Sequence, residues 1–235
     1  MMKKLLLGLL AFLSLSGFAQ NKTVVLTFDD SPSSHYSFVA PLLKQYGFGA
    51  TFYVCEFPGI YPDTSLSLSW GQVKAISKMG FEIGNHTWHH TGVKGITEAK
   101  LNAELAYVEA KCDSLGIPKM TSFCYPGYTT DSLATIVLKK RGYLNGRTGG
   151  ERAYVKGKDD PFYIPSYTIS DGNKNTFYDA LKQPKDSEIV VFCFHGVPDR
   201  PHPWVSVNET DFKAYMDYLK ANNYRVIAMK DLKIK

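Results

Sequence analysis

The stretch Thr23-Val24-Val25-Leu26-Thr27-Phe28-Asp29-Asp30-Ser31-Pro32 decides the fold. An apolar, β-branched run reads as a buried strand, and two adjacent carboxylates stand where it emerges. Neighbouring strand residues point to opposite faces, so both acids serve one site only if the chain bends, which Ser31 and Pro32 favour. Working outward, similar runs alternate with segments of helical period, the pattern of βα units around a parallel sheet. Strands are expected at 23–28, 50–55, 81–84, 121–125, 143–147, 162–168, 189–194 and 224–228.

Between them, Ser69 and Gln72 form a capping box ahead of Val73 and Ile76, and Gly80 stops that helix. Leu101, Leu105, Val108, Cys112 and Leu115 share a helix face between a Thr97 cap and Gly116. Leu133, Ile136 and Val137 mark a third helix; Phe212, Tyr215, Met216 and Leu219 mark a fourth behind an Asn208 cap. These stripes are core, not cofactor sites. About eight strands with intervening helices predict a single-domain α/β fold, an irregular (β/α) barrel whose strand carboxyl ends form the active face.

The chain has 235 residues, 44% of them hydrophobic, enough for a sizeable core. Residues 1–19 read as a secretory signal peptide, because Lys3 and Lys4 precede an apolar run and Gly17 and Ala19 are spaced for cleavage. The run is broken by Ser14, Ser16 and Gly17, too short for the roughly 20 apolar residues of a membrane span. A mature domain over 20–235 is expected, secreted or periplasmic, free of the membrane after cleavage. A formal net charge of +5 says little about partners, and nucleic acid is not among those expected. Export permits disulfides among Cys55, Cys112, Cys124 and Cys193, but their pairing stays open and buried free thiols fit equally well.

Two further elements carry chemistry. His86-Thr87-Trp88-His89-His90 follows the strand-like Phe81-Glu82-Ile83-Gly84, and residues four apart share a face of a helical turn. His86 and His90 can then offer two imidazole nitrogens to one ion, while His89 lies on another side. Two histidines and one carboxylate make a facial ligand set with open positions. His195 ends the buried run Ile189-Val190-Val191-Phe192-Cys193-Phe194, and histidine is the residue type suited to carry protons in a hydrolase.

Together these elements resemble the polysaccharide deacetylase family, the fourth carbohydrate esterase family, motif by motif. Thr27-Phe28-Asp29-Asp30-Ser31-Pro32 resembles its first motif, Gly49-Ala50-Thr51-Phe52-Tyr53-Val54 the strand that follows, and His86-Thr87-x-x-His90 its second. The resemblance runs from about Lys22 to the C-terminus and implies a deformed, TIM-barrel-like (β/α) barrel. It implies Asp29 as catalytic base, Asp30, His86 and His90 as ligands of zinc (or cobalt or nickel), and His195 as general acid. The implied activity is removal of acetyl groups, N-acetyl foremost, from chitin-like or peptidoglycan glycan, with acetylated xylan also consistent. A glycan-binding protein that keeps the fold without catalysis is the alternative.

One departure is plain. The family's third motif carries Arg-x-Pro-Tyr, whereas Phe123-Cys124-Tyr125-Pro126-Gly127 has Cys124 where arginine would orient the base. The main-chain N–H of Gly127 is still expected to hold the oxyanion. Asp171 is the candidate for the fourth motif, an aspartate supporting the histidine acid. Trp88, Tyr125, Tyr128 and Trp204 lie near the motif loops, where flat faces suit sugars, although core packing explains any one of them.

Overall fold

Strand β1 (Thr23–Phe28) is buried over nearly all its length, as befits the continuous apolar run. It is followed by α1 (Ala40–Tyr46), β2 (Thr51–Val54), α2 (Trp70–Lys78), β3 (Glu82–Asn85) and α3 (Glu98–Ser114). Next come β4 (Ser122–Cys124), α4 (Ser132–Arg141), β5 (Asn145–Arg147), β6 (Tyr154–Val155), β7 (Tyr167–Thr168) and α5 (Asn175–Lys182). The chain ends with β8 (Glu188–Phe194), α6 (Glu209–Ala221) and β9 (Arg225–Ile227). This computed structural model describes residues 22–56, 63–182 and 188–233, so the signal peptide expected at 1–19 lies outside the described residues. Among them, no helix is long and apolar enough to cross a membrane.

Along one edge β1 pairs in parallel with β8, from Val24↔Val190 to Phe28↔Phe194. Its other edge is shared, residues 23–25 pairing with β9 and Thr27 and Phe28 with β2. From β2 the sheet runs parallel through β3, β4 and β5. Ile164 bridges to Arg147 in parallel, and β7 pairs in parallel with β8, so the thread 164–168 curls the sheet into a deformed (β/α) barrel. Strand β6 lies antiparallel on the first residues of β8 and breaks the regular pattern.

Alternation along the strands sorts side chains into two cores. Val24, Leu26 and Phe28 face outward with Phe52, Val54, Phe192 and Phe194, packed on helix residues such as Leu105, Val108 and Phe212. Val25, Tyr53, Cys124, Tyr154, Ile164, Val191 and Ile227 fill the interior. A Cβ on Gly84 would fall 2.5 Å from the Tyr53 ring, so only glycine lets β3 pass that side chain. The same parity sends Asp29, His86, Arg147 and His195, at the carboxyl ends of β1, β3, β5 and β8, toward the barrel mouth.

The expected caps form. Ser69 and Gln72 bond reciprocally at α2, Thr97 accepts from Lys100 N at 3.3 Å, and Asn208 accepts from Asp211 N at 2.9 Å. Two expectations need correction. Ile136 is 51% exposed; the buried face of α4 is Ala134, Thr135, Val137 and Leu138, one residue round from the expected stripe. The strand expected over 162–168 reduces to an Ile164 bridge and β7, because Pro161 and Pro165 cannot donate to a ladder and Pro161–Tyr163 turns helical. All four cysteines are buried free thiols.

Candidate active site

Three strand ends supply a close-set group of donors. Beyond β1 the backbone turns sharply, with Asp30 and Ser31 in the left-handed region at φ 68 and 58°. Such residues cost about 1–3 kcal/mol each and persist only where neighbours hold them. Here Ser31 Oγ accepts from Cys55 N at 3.1 Å and Ser31 O from Leu68 N at 2.8 Å. This bend brings Asp29 and Asp30, consecutive in the chain, to one site. The turn after β3 is not the helical turn expected at 86–90. Thr87 and His90 are left-handed at φ 61 and 54°, and the loop is tied by Thr87 N donating to Asn85 Oδ1 (2.9 Å) and Thr91 N to Thr87 Oγ1 (2.7 Å).

Asp30 Oδ1 lies 3.2 Å from His86 Nε2 and 3.3 Å from His90 Nε2. It is buried and makes no hydrogen bond of acceptable geometry. Metal–ligand bonds of about 2.0–2.2 Å at angles near 90–110° place neighbouring ligand atoms about 3.0–3.4 Å apart, so these donors fit a cation. His86 Nδ1 lies 2.9 Å from the Cys124 carbonyl, which only accepts, so Nδ1 carries the proton and Nε2 presents its lone pair. Burial, with the neighbouring His86, depresses the His90 pKa to about 4 and keeps that ring neutral. Burial pushes the Asp30 pKa up, but the facing ring of His86, then those of His195 and His90, outweigh it and hold the carboxyl below the usual carboxylate range.

Beside this group stands Asp29, 2% exposed. Its Oδ2 receives Nη2 of Arg147, which is 0% exposed, and the Cys124 and Cys193 thiols at 3.4 and 3.5 Å. Its Oδ1 is buried with no hydrogen bond. Burial raises the Asp29 pKa, but Arg147, then His86 and His195, more than reverse this and hold it below the usual carboxylate range. The guanidinium donates from Nη1 to Ser166 Oγ at 3.2 Å and from Nη2 to Cys124 Sγ at 2.7 Å. The Tyr53 and Tyr128 ring centroids are 5.4 and 5.5 Å from its central carbon. Sequence reading misses Arg147; the available signal was a lone charge at an inward position, ending a strand at the active face.

His195 Nε2 is 3.7 Å from Asp30 Oδ2, with its side chain 13% exposed. Its carbonyl accepts from Nε2 of buried His35 at 2.9 Å. Burial lowers the His35 pKa to about 4, so this neutral ring clamps the β8 end to the loop after β1, a second residue the motifs did not flag. Asp171 corrects an expectation. It is exposed, its Oδ1 accepts from Asn208 Nδ2 at 2.8 Å and Asn208 N at 3.2 Å, and it anchors the loop before α6. His195 Nδ1 is buried and has no hydrogen-bond partner among the described residues, so none of their carboxylates supports it.

Gly127 is exposed in the turn after β4 at φ 58°, a conformation that suits glycine. His89 turns to Glu104 (3.0 Å) and is outside the cluster. Trp88 stacks on Tyr107 at 3.8 Å and donates to Glu56 at 2.6 Å, Tyr125 is buried, and Tyr128 bonds Thr168 at 2.7 Å. Of the four aromatic candidates Trp204 is exposed at 69%, Trp88 and Tyr128 are half-buried and Tyr125 is buried.

Two imidazoles and a carboxylate gathered at a barrel mouth form a donor set that could hold a metal ion, and a second carboxylate and a histidine stand beside them. The chain belongs to the polysaccharide deacetylase family, whose model matches residues 17–146. It is 31% identical over 124 residues to a chitin deacetylase of Pestalotiopsis sp, a match covering 52% of this chain and 39% of that protein. The matches span less than half the length of the curated relatives. The fold is similar to that of the chitin deacetylase from the fungal pathogen Colletotrichum lindemuthianum (TM-score 0.66, 18% identity, 91% of this chain and 88% of that one). It is also similar to a family 4 acetyl xylan esterase from Clostridium thermocellum in complex with a cobalt ion (TM-score 0.61, 21% identity, 90% of each chain).

Proposed function

We propose that this chain is a divalent-metal-dependent deacetylase that hydrolyses acetyl groups, N-acetyl foremost, on an oligo- or polysaccharide. The observation that carries this reading is that Asp30 Oδ1 meets His86 Nε2 at 3.2 Å and His90 Nε2 at 3.3 Å, with Asp29 and His195 at the same barrel mouth. Asp30, His86 and His90 would hold the cation, zinc foremost and cobalt or nickel in its place. Once bound, it would polarise the acetyl carbonyl and lower the pKa of water toward about 7.

The chain's own groups do the rest. Asp29 takes the proton of the attacking water through Oδ1, the oxygen with no other hydrogen bond. Gly127 N–H is the donor for the oxyanion that forms as water adds to the acetyl carbon. His195, held through its backbone by His35, protonates the departing sugar nitrogen, and acetate and a free amine leave. Chitin-like and peptidoglycan glycans are the preferred substrates, since one relative is named for chitin. Residues 1–19 as a secretion signal, a catalytic domain over 20–235 and an extracellular or periplasmic site complete the proposal. Glycan binding without hydrolysis draws on Cys124 standing in place of arginine, and the guanidinium that Arg147 brings to Asp29 speaks against it.

The test is acetate release from N-acetylglucosamine oligomers, peptidoglycan and acetylxylan by metal-stripped protein titrated with Zn2+ or Co2+. Release that needs the metal and vanishes in Asp29→Asn supports the reading. Glycan affinity without release, in metal-replete protein, overturns it.

A further inference from the structure

The two turns that carry the cation ligands are both fastened to the end of β2. That strand lies between β1 and β3 in the sheet, and successive N–H groups of an extended chain point to opposite sides. Its extension beyond Val54 therefore reaches both neighbours. Cys55 N donates to Ser31 Oγ in the β1 turn at 3.1 Å, and Glu56 N donates to the Trp88 carbonyl in the 86–90 loop at 2.8 Å. Glu56 adds a second tie through its side chain. Its Oε2 accepts from Trp88 Nε1 at 2.6 Å, while Oε1 accepts from the Tyr107 hydroxyl at 2.6 Å and from Trp70 Nε1 at 2.9 Å. Burial pushes the Glu56 pKa up, but the Tyr107, Trp70 and Trp88 donors and then Lys111 more than reverse this. Trp88 is thus gripped by backbone and ring, and the ring lies on Tyr107 of α3 within 11° of parallel.

Trp88 stands midway between His86 and His90, in a loop that left-handed Thr87 and His90 make costly. Such a conformation persists only where its surroundings over-determine it. His86 is anchored on the Cys124 carbonyl, and the return of the chain to His90 runs through residues 88 and 89. A carboxylate holds each of them, since His89 N donates to Glu104 Oε2 at 2.9 Å as Trp88 Nε1 donates to Glu56. We infer that Glu56 is a positioning residue for the cation site: by gripping Trp88 it sets the 86–90 loop so that His90 faces Asp30 and His86 before an ion arrives. The inference rests on the proposed function. A preformed ligand set binds without the cost of ordering its loop, so a lost grip weakens cation binding and leaves the ligands the same.

The experiment titrates metal-stripped wild type, Glu56→Ala, Trp88→Phe, Glu56→Ala/Trp88→Phe and Leu219→Ala with Co2+. It reads affinity by calorimetry, visible absorption at saturation, and the Tm of the metal-free protein. Glu56→Ala should lose about 10- to 100-fold in affinity, the size expected when a partner behind the ligands is removed. Once saturated it should show the wild-type spectrum, because the ligands are unchanged. Trp88→Phe keeps an aromatic ring and loses the N–H donor, so it should weaken binding in the same direction, and it serves if Glu56→Ala fails to fold by circular dichroism. The double variant should bind about as well as Glu56→Ala, since both changes remove one contact. Leu219→Ala truncates the buried face of α6 and should lower Tm at wild-type affinity. Wild-type affinity in folded Glu56→Ala or Trp88→Phe overturns the inference. So do fully additive losses in the double variant, an equal loss in Leu219→Ala, or an altered spectrum in saturated Glu56→Ala. A wild-type chain that binds Co2+ but releases no acetate overturns the proposed function alone, since the titrations still test Glu56. A chain that binds no Co2+ overturns both.

Discussion

Removing the charge of Asp29 should cost stability as well as activity, and the structure sets the size of both effects. Arg147 and Asp29 are 0% and 2% exposed, so Asp29→Asn strands a guanidinium in the barrel interior. Breaking one side of a buried pair costs about 3–5 kcal/mol. For a domain of 150–250 residues each kcal/mol moves Tm by about 2–4 °C, so Tm should fall by about 6–20 °C. Arg147→Met strands the carboxylate instead and should cost a similar amount. Because the two side chains touch, the costs do not add, and Asp29→Asn/Arg147→Met should recover a large part of the loss. Thermal unfolding by circular dichroism with the metal removed closes this double-mutant cycle. Single variants within about 1 kcal/mol of wild type would falsify the claim that the pair is buried and mutually dependent.

Three further outcomes follow from the same geometry. His90→Gln should weaken Zn2+ or Co2+ affinity at least tenfold by calorimetric titration and raise the metal concentration needed for half-maximal acetate release, without moving the apo-protein's Tm by more than a few degrees. Asp171→Ala should leave kcat within about twofold, because that carboxylate bonds Asn208 and not His195; a hundredfold loss in steady-state assays would restore it as the histidine's support. The folded-state pKa of Asp29 is depressed, so its stabilising contribution is complete above the unfolded value near 4 and drains away as pH falls through the folded value. Acid titration of Tm should therefore show a steeper fall below about pH 4 in wild type than in Asp29→Asn.

The first motif could be read directly because a strand buried on both faces is written in consecutive apolar residues, and a strand end fixes where its last side chains go. The helix caps at Ser69, Thr97 and Asn208 were equally readable, since capping is a contact three residues long. What escaped involves partners distant in the chain or backbone that departs from a regular period. Arg147 meets Asp29 across 118 residues and sits in the short, polar Asn145-Gly146-Arg147, which carries no apolar signature. The four-residue spacing of His86 and His90 suggests a helical face, yet the imidazoles are brought together by two left-handed residues that no periodicity encodes. Only position along the chain points to Asp171, and the folded loop shows its carboxylate spent on Asn208.

The seam at 164–168 has a consequence of its own. Strand β8 is zipped to β1 over five residue pairs, whereas β5 and the residues after it are held to the far side by three backbone bonds, Thr148 N to Ile164 O and Ile164 N to Gly146 O at 2.8 Å and Glu151 N to Ser166 O at 3.1 Å, with side-chain bonds at Ser166. Segments with so few protected amides open at lower free energy than the whole domain. Ser166, which steadies the guanidinium, lies within this thread, so a fluctuation that parts the seam also slackens the grip on Asp29. On warming, turnover should therefore fade before the sheet melts, with amide exchange at 148 and 164 outrunning that of residues 24–28.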